Sequence, residues 1–148
     1  MEKHFDNSDI KYFKQLLHHE DNVIRTRAVC ILAEIGGRGV VAAISDTLTN
    51  DKDSLVRHEA AFALGQLGFT DALTTLSYSI NSDPSLFVRH EAAIAVGVIG
   101  SEEGRGPLQQ ALSDGSQEVR ESAKIALANL DYISSVKRKG KFARLTGG

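Results

Sequence analysis

The chain has 148 residues, 42% hydrophobic and 24% charged, with a formal net charge of −2, the profile of one ordinary globular domain. Its longest apolar run, around Val40–Ile44, falls far short of the roughly 18 residues a membrane span needs, and the opening MEKHFDNSDI has no apolar leader core. A single cysteine, Cys30, excludes an internal disulfide and a cysteine-based metal framework, so the cytoplasm is the expected location.

Along the chain, Ile24-Arg25, Val56-Arg57, Val88-Arg89 and Val119-Arg120 recur at spacings of 32, 32 and 31 residues. Each pair opens a similar segment that continues through small residues (Ala28-Val29, Ala60-Ala61, Ala92-Ala93, Ala123-Lys124) and closes at Ile35-Gly36, Leu67-Gly68, Ile99-Gly100 and Leu130-Asp131. At about 100° per residue, Val56, Ala60, Ala63, Leu64 and Leu67 share one arc of a helix. Ahead of each such helix lies a shorter periodic stretch, Ile10–Leu17, Val40–Leu48, Ala72–Ile80 and Leu108–Leu112, so each repeat is a helical hairpin. The repeats are expected at about 8–36, 39–68, 71–100 and 104–131, within a domain spanning 1–133.

Asp51, Asp83 and Asp114 stand shortly before the second helices and are expected to cap them, with Pro84 in a first helical turn. Gly68 and Gly100 suit left-handed stops. Gly65 and Gly97 lie inside second helices, where close approach of a neighbouring helix explains a small residue. Gly-Gly-Arg-Gly at 36–39 and Glu-Gly-Arg-Gly at 103–106 lack the Gly-Lys-Ser/Thr of a phosphate loop and read as turns.

No single hairpin buries its own apolar stripe, so the hairpins must stack. The fold class is all-α, an α-solenoid of four units. Past it, residues 134–148 form a basic segment expected to be mobile. Lys137, Arg138, Lys139, Lys141 and Arg144 leave 12 basic against 19 acidic residues elsewhere, a body at −7 carrying a tail at +5. An acidic body disfavours nucleic acid as a partner.

The Val-Arg pair, the two alanines and the Leu-Gly ending resemble the HEAT-like repeats associated with phycobilisome lyases, across about residues 8–131. The resemblance implies the fold and leaves the function open.

Opposite the core arc, the second repeat carries His58, Glu59, Phe62 and Gln66, and the third His90, Glu91, Ile94 and Val98. A solvated face has no use for Phe62, Ile94 and Val98 together, so with Gln66 these positions are expected to line a concave face, either bounding a cavity or covered by something else. His58 and His90 project from adjacent helices, and two histidines with a carboxylate suit non-haem iron with open positions. Zinc or manganese would accept the same ligands. Two His-Glu pairs are also what duplication of a solvated repeat would leave. Cys30 is expected to be a buried or inert thiol.

The wider strings, Ser-Leu-Val-Arg-His-Glu-Ala-Ala-Phe-Ala-Leu-Gly-Gln-Leu-Gly at 54–68 and Val-Arg-His-Glu-Ala-Ala-Ile-Ala-Val-Gly-Val-Ile-Gly at 88–100, resemble the iron-binding repeats of the deoxyhypusine hydroxylase family. That family has eight repeats in two similar halves around a di-iron centre, each half with His-Glu pairs in its two central repeats, and this chain is similar to one half. The resemblance implies iron held by His58, His90 and Glu91, with Glu59 as a catalytic neighbour, and a hydroxylase or monooxygenase activity. Because this chain supplies two His-Glu pairs instead of four, a two-fold homodimer is expected to complete the site. The alternative is a non-catalytic scaffold or lyase accessory that grips a protein partner on the same face.

Overall fold

The computed structural model describes Met1 and residues 9–146, with side chains as far as Gly140. Residues 2–8 and 147–148, which belong to the expected repeat domain and basic segment, lie outside the described residues. Four helical hairpins follow one another: α1 (Ile10–Leu16) with α2 (Asn22–Ile35), α3 (Val41–Asn50) with α4 (Ser54–Leu67), α5 (Leu73–Ser82) with α6 (Leu86–Ile99), and α7 (Arg105–Ala111) with α8 (Gln117–Thr146). Single 3-10 turns lead into α3, α5 and α7. Among the described residues there is no strand, and the expected α-solenoid is the observed architecture.

Odd and even helices form two layers, each helix packing on its hairpin partner and, from α2 onward, on its counterpart in a neighbouring repeat. One continuous core runs between the layers. Phe13, Ile44, Leu48, Leu76, Ile80 and Leu108 of the first helices meet Leu32, Val56, Leu64, Val88, Val96 and Leu130 of the second, all at most 1% exposed. Burying such a side chain stabilises by about 1.5–3 kcal/mol, which holds each hairpin to the next.

The even helices approach closely because their contact positions are small. A Cβ on Gly97 would stand 2.7 Å from Ala126 Cβ and 2.9 Å from its Cα, and one on Gly65 would stand 3.0 Å from both atoms of Ala95. Gly68 (φ 75°, ψ 8°) and Gly100 (φ 72°, ψ 22°) end α4 and α6 in the left-handed region, as expected.

The capping assignments need correction. Asp21 and Asp53 are the residues whose side chains cap α2 and α4, accepting from the N–H groups of Val23 and Leu55. Asp51, Asp83 and Asp114 sit two residues further out, each accepting the N–H of the residue two on (Asp53, Ser85, Ser116). Pro84 lies before the cap Ser85 and outside α6. The physical reason is that these carboxylates are already claimed by the arginine of the preceding repeat. Arg25 grips Asp51 at 2.8 and 3.1 Å, Arg57 grips Asp83 at 2.8 and 3.1 Å, and Arg89 grips Asp114 at 2.9 and 3.2 Å. Each guanidinium also donates to a backbone carbonyl of the turn before its own helix, that of His19, Asp51 or Asp83. The recurring Val-Arg pair is therefore a clamp between repeats. Hydrogen bonding to Asp51 and Asp83 raises the pKa values of Arg25 and Arg57. Burial pushes the Asp114 carboxyl up, but the Arg89 fork and the Ser116 N–H outweigh it and leave the group below its ordinary value.

The boundary expected near residue 133 is not a helix end. α8 continues unbroken to Thr146. Where Gly68 and Gly100 stop their helices, Asp131 stands in α8, and the next turn is tied down. Arg105 pairs with Asp131 at 2.9 Å, Ser134 donates to Glu102 at 2.7 Å, and Ile133 lies over Gly100.

Candidate metal centre

The even helices turn one face away from the odd layer, and the His-Glu pairs lie on it. His58 and Glu59 occupy the second turn of α4, His90 and Glu91 that of α6, directly after the clamp arginines Arg57 and Arg89. With the arginine fixed inside the stack, the next two side chains emerge at its edge. His58, Glu59 and His90 are half-buried and Glu91 is buried.

The side chains meet in pairs across neighbouring helices. His58 Nε2 lies 3.3 Å from Glu91 Oε2. His90 turns the other way, its Nδ1 lying 2.6 Å from Ser122 Oγ and 3.4 Å from the Glu118 carbonyl oxygen of α8. Glu59 turns back toward α2 and accepts the Cys30 thiol proton at 3.2 Å. Of the four residues singled out in the sequence, His58 and Glu91 come together, whereas His90 and Glu59 each engage a residue of a flanking repeat.

Cys30 is exposed, which removes the first of the two expected alternatives, a buried or an inert thiol. Partial desolvation and the Glu59 carboxylate hold its pKa up at about 11, which favours the thiol over the reactive thiolate. Ser122 and Cys30 are contacts that sequence reasoning missed. The signal was in the register, because Ser122 occupies in the fourth repeat the position of Glu91 in the third.

Two ligands of one divalent ion, at bond lengths of about 2.0–2.2 Å and angles from square to tetrahedral, stand roughly 2.8–3.6 Å apart. The 3.3 Å between His58 Nε2 and Glu91 Oε2 fits such a pair. The chemistry of the donor set, imidazole with carboxylate, suits iron, zinc or manganese. Among the described residues, no three His, Cys, Asp or Glu side chains gather round one point.

Around these groups the face is apolar. Phe62, Ile94 and Val98 are 42%, 37% and 60% exposed, and Gln66 is exposed beside them. A further row, Val23, Leu55 and Phe87, stands exposed just before each clamp pair. Between α6 and α8 an open groove of about 420 Å³ is lined by His90, Ile94, Val98, Ser122, Ile125 and Asn129 among others.

The stacked hairpins and the recurring clamp define a class of protein, and the sequence comparison agrees: the chain belongs to the HEAT-repeat family, whose model matches residues 10–97. The model of the PBS lyase HEAT-like repeat matches residues 88–114. Among solved structures the chain is similar to human deoxyhypusine hydroxylase in complex with glycerol, at 31% identity and a TM-score of 0.80. The match covers 88% of this chain and 46% of that one, so this chain spans about half the length of its structural relative. A search of the curated proteins finds no match. No described helix is long and apolar enough to cross a membrane.

Proposed function

We propose that the chain is a half-site of a hydroxylase-like metalloenzyme, completed by a second copy in a two-fold homodimer. The observation that carries this reading is the convergence of His58 Nε2 and Glu91 Oε2 from adjacent helices, 3.3 Å apart. The 31% identity to human deoxyhypusine hydroxylase over half of that chain supports it. His58, His90 and Glu91 are the residues we assign to holding iron. When bound, the metal supplies oxygen-activating, monooxygenase-type chemistry.

The chain's own residues do the rest. Glu91, buried behind His58, orients that imidazole and contributes charge. Glu59 accepts a hydrogen bond from the Cys30 thiol on Oε1, and its other oxygen is the atom we assign to proton transfer with substrate. The apolar side chains Phe62, Ile94 and Val98 exclude water once a second copy covers the face. An isologous contact through this face brings two His-Glu sets together and buries the exposed apolar surface in one step. The breadth of that surface, from Leu55 and Phe87 to Ile125, also favours a second reading, a scaffold that grips a protein partner without catalysis.

Anaerobic loading with ferrous iron, followed by metal analysis and a light-scattering mass, tests the proposal. The expected result is one iron per chain in a dimer, lost when His58→Ala and His90→Ala are combined. Absence of retained iron, or equal retention by the double variant, overturns it. A metal-free monomer that captures one protein partner establishes the scaffold instead.

A further inference from the structure

The α8 neighbours of His90 favour one of its two ring nitrogens as the proton carrier. Its Nδ1 has two neighbours, Ser122 Oγ at 2.6 Å and the Glu118 carbonyl oxygen at 3.4 Å. The Ser122 hydroxyl itself donates to that same carbonyl, at 2.9 Å. A carbonyl can only accept, and a serine hydroxyl has one proton to give. With that proton directed at Glu118, Ser122 Oγ faces the ring as an acceptor. In that arrangement both neighbours of Nδ1 accept from a proton on it. In a neutral imidazole the other nitrogen, Nε2, then keeps its lone pair. Ser122 is 4% exposed, so water does not compete freely for its hydroxyl.

We propose that Ser122 is the positioning residue of the candidate centre: together with the Glu118 carbonyl it locks His90 in the Nδ1–H tautomer and presents Nε2 as an open ligand atom. Serine achieves this without adding charge. At the same repeat position Glu91 faces His58 as a carboxylate, so the two histidines are served by chemically different partners, one an anionic ligand candidate and the other a neutral tautomer lock. The consequence for metal affinity rests on the function proposed above. The tautomer does not, since it follows from the hydrogen bonds of the metal-free chain.

The test is a long-range proton–nitrogen correlation spectrum of the full, metal-free chain labelled at histidine nitrogen, at about pH 8, where imidazole is largely neutral. His90 is assigned by its absence in His90→Gln. The expected pattern is Nδ1–H in the parent chain, shifted toward Nε2–H in Ser122→Ala with an unchanged circular dichroism spectrum. Ser122→Cys, close in shape and weak as a hydrogen-bonding partner, gives the same shift should the alanine variant fold poorly. Zinc affinity, used as the probe metal, is expected to fall roughly 10- to 100-fold in the folded variant. A parent chain carrying Nε2–H at His90, or a tautomer unmoved by both substitutions, overturns the proposal. An Nδ1–H pattern lost on substitution, in a chain that binds no metal, upholds the tautomer lock and overturns the metal reading.

Discussion

Arg57 and His58 are consecutive residues, yet they belong to regions with opposite demands. The arginine rung, buried at Arg25 and Arg57 and half-buried at Arg89, repeats three times with nearly the same geometry, each fork closing on the next repeat's aspartate. The face beside it changes along the stack: the same two positions hold Thr26 and Arg27 in the first repeat, His-Glu pairs (His58-Glu59, His90-Glu91) in the two central repeats, and Glu121 and Ser122 in the fourth. A stack of hairpins needs identical joints but has no requirement for its outer face. Regularity therefore marks what holds the array together, and departure from regularity marks where chemistry can be placed.

The largest effect should come from breaking a joint. Arg57 and Asp83 side chains are only 11% and 6% exposed. Removing one partner leaves the other's charge buried and unpaired, a cost of about 3–5 kcal/mol. Arg57→Ala or Asp83→Ala is thus expected to lower the urea midpoint sharply, while changing both should cost less than the sum. A double variant as damaged as the two single ones added together would show that the fork is incidental.

Next is the close approach of α6 and α8. Gly97→Ala forces a Cβ to within 2.7 Å of Ala126 Cβ, and overpacking of this kind costs about 1–3 kcal/mol. Gly65→Ala meets Ala95 at 3.0 Å, and the helix propensity gained, about 1 kcal/mol, offsets more of its cost. Gly97→Ala should therefore be the more destabilising of the two in denaturant titrations. The reverse order would mean that the third and fourth repeats are joined less tightly than the second and third.

On the irregular face, substitutions should change reactivity and hardly touch stability. The Cys30 thiol is held up at about 11 by partial desolvation first and by Glu59 second. At pH 8 it is overwhelmingly protonated, so alkylation by iodoacetamide should be slow although the residue is exposed. Glu59→Gln removes the carboxylate contribution, lowers that pKa, and should speed alkylation several-fold at the same pH. An unchanged rate would place the effect in desolvation alone.

Much of this division was legible before any coordinates. The 32-residue spacing, the small residues at positions 65 and 97 and the glycine stops lead directly to stacked hairpins, because each is a local property of one helix. The partner of an aspartate is not local. Asp51, Asp83 and Asp114 read as caps because capping is what an aspartate ahead of a helix does alone, and only the register between repeats shows that an arginine 25 or 26 residues earlier takes the carboxylate. The same holds on the functional face: His58 and Glu91 were visible as ligand types, but the attachment of His90 to Ser122 and of Glu59 to Cys30 depends on which way each ring and carboxylate turns.

The smallest expected effect concerns the far end of α8. Its join to the body lies at Asp131, Ile133 and Ser134, through Arg105, Gly100 and Glu102. Paired with Arg105, and accepting from Ser134, Glu102 has its pKa lowered to about 2, so this attachment persists through the ordinary acid range. As a depressed carboxylate, Glu102 contributes whatever stability it has in full above its unfolded value and loses it progressively as pH falls from there through about 2. Residues 137–146 continue α8 past these contacts, with the Lys137 charge acting on Glu102 from the next turn, and an extended helical end is marginal in water by itself. Deleting them should therefore leave the urea midpoint within about 0.5 kcal/mol of the full chain, with bound metal and solution mass unchanged. Loss of the dimer on deletion would show that the basic end of α8 reaches the second copy. Loss of the fold would show that the fourth joint lies further along α8 than Ser134.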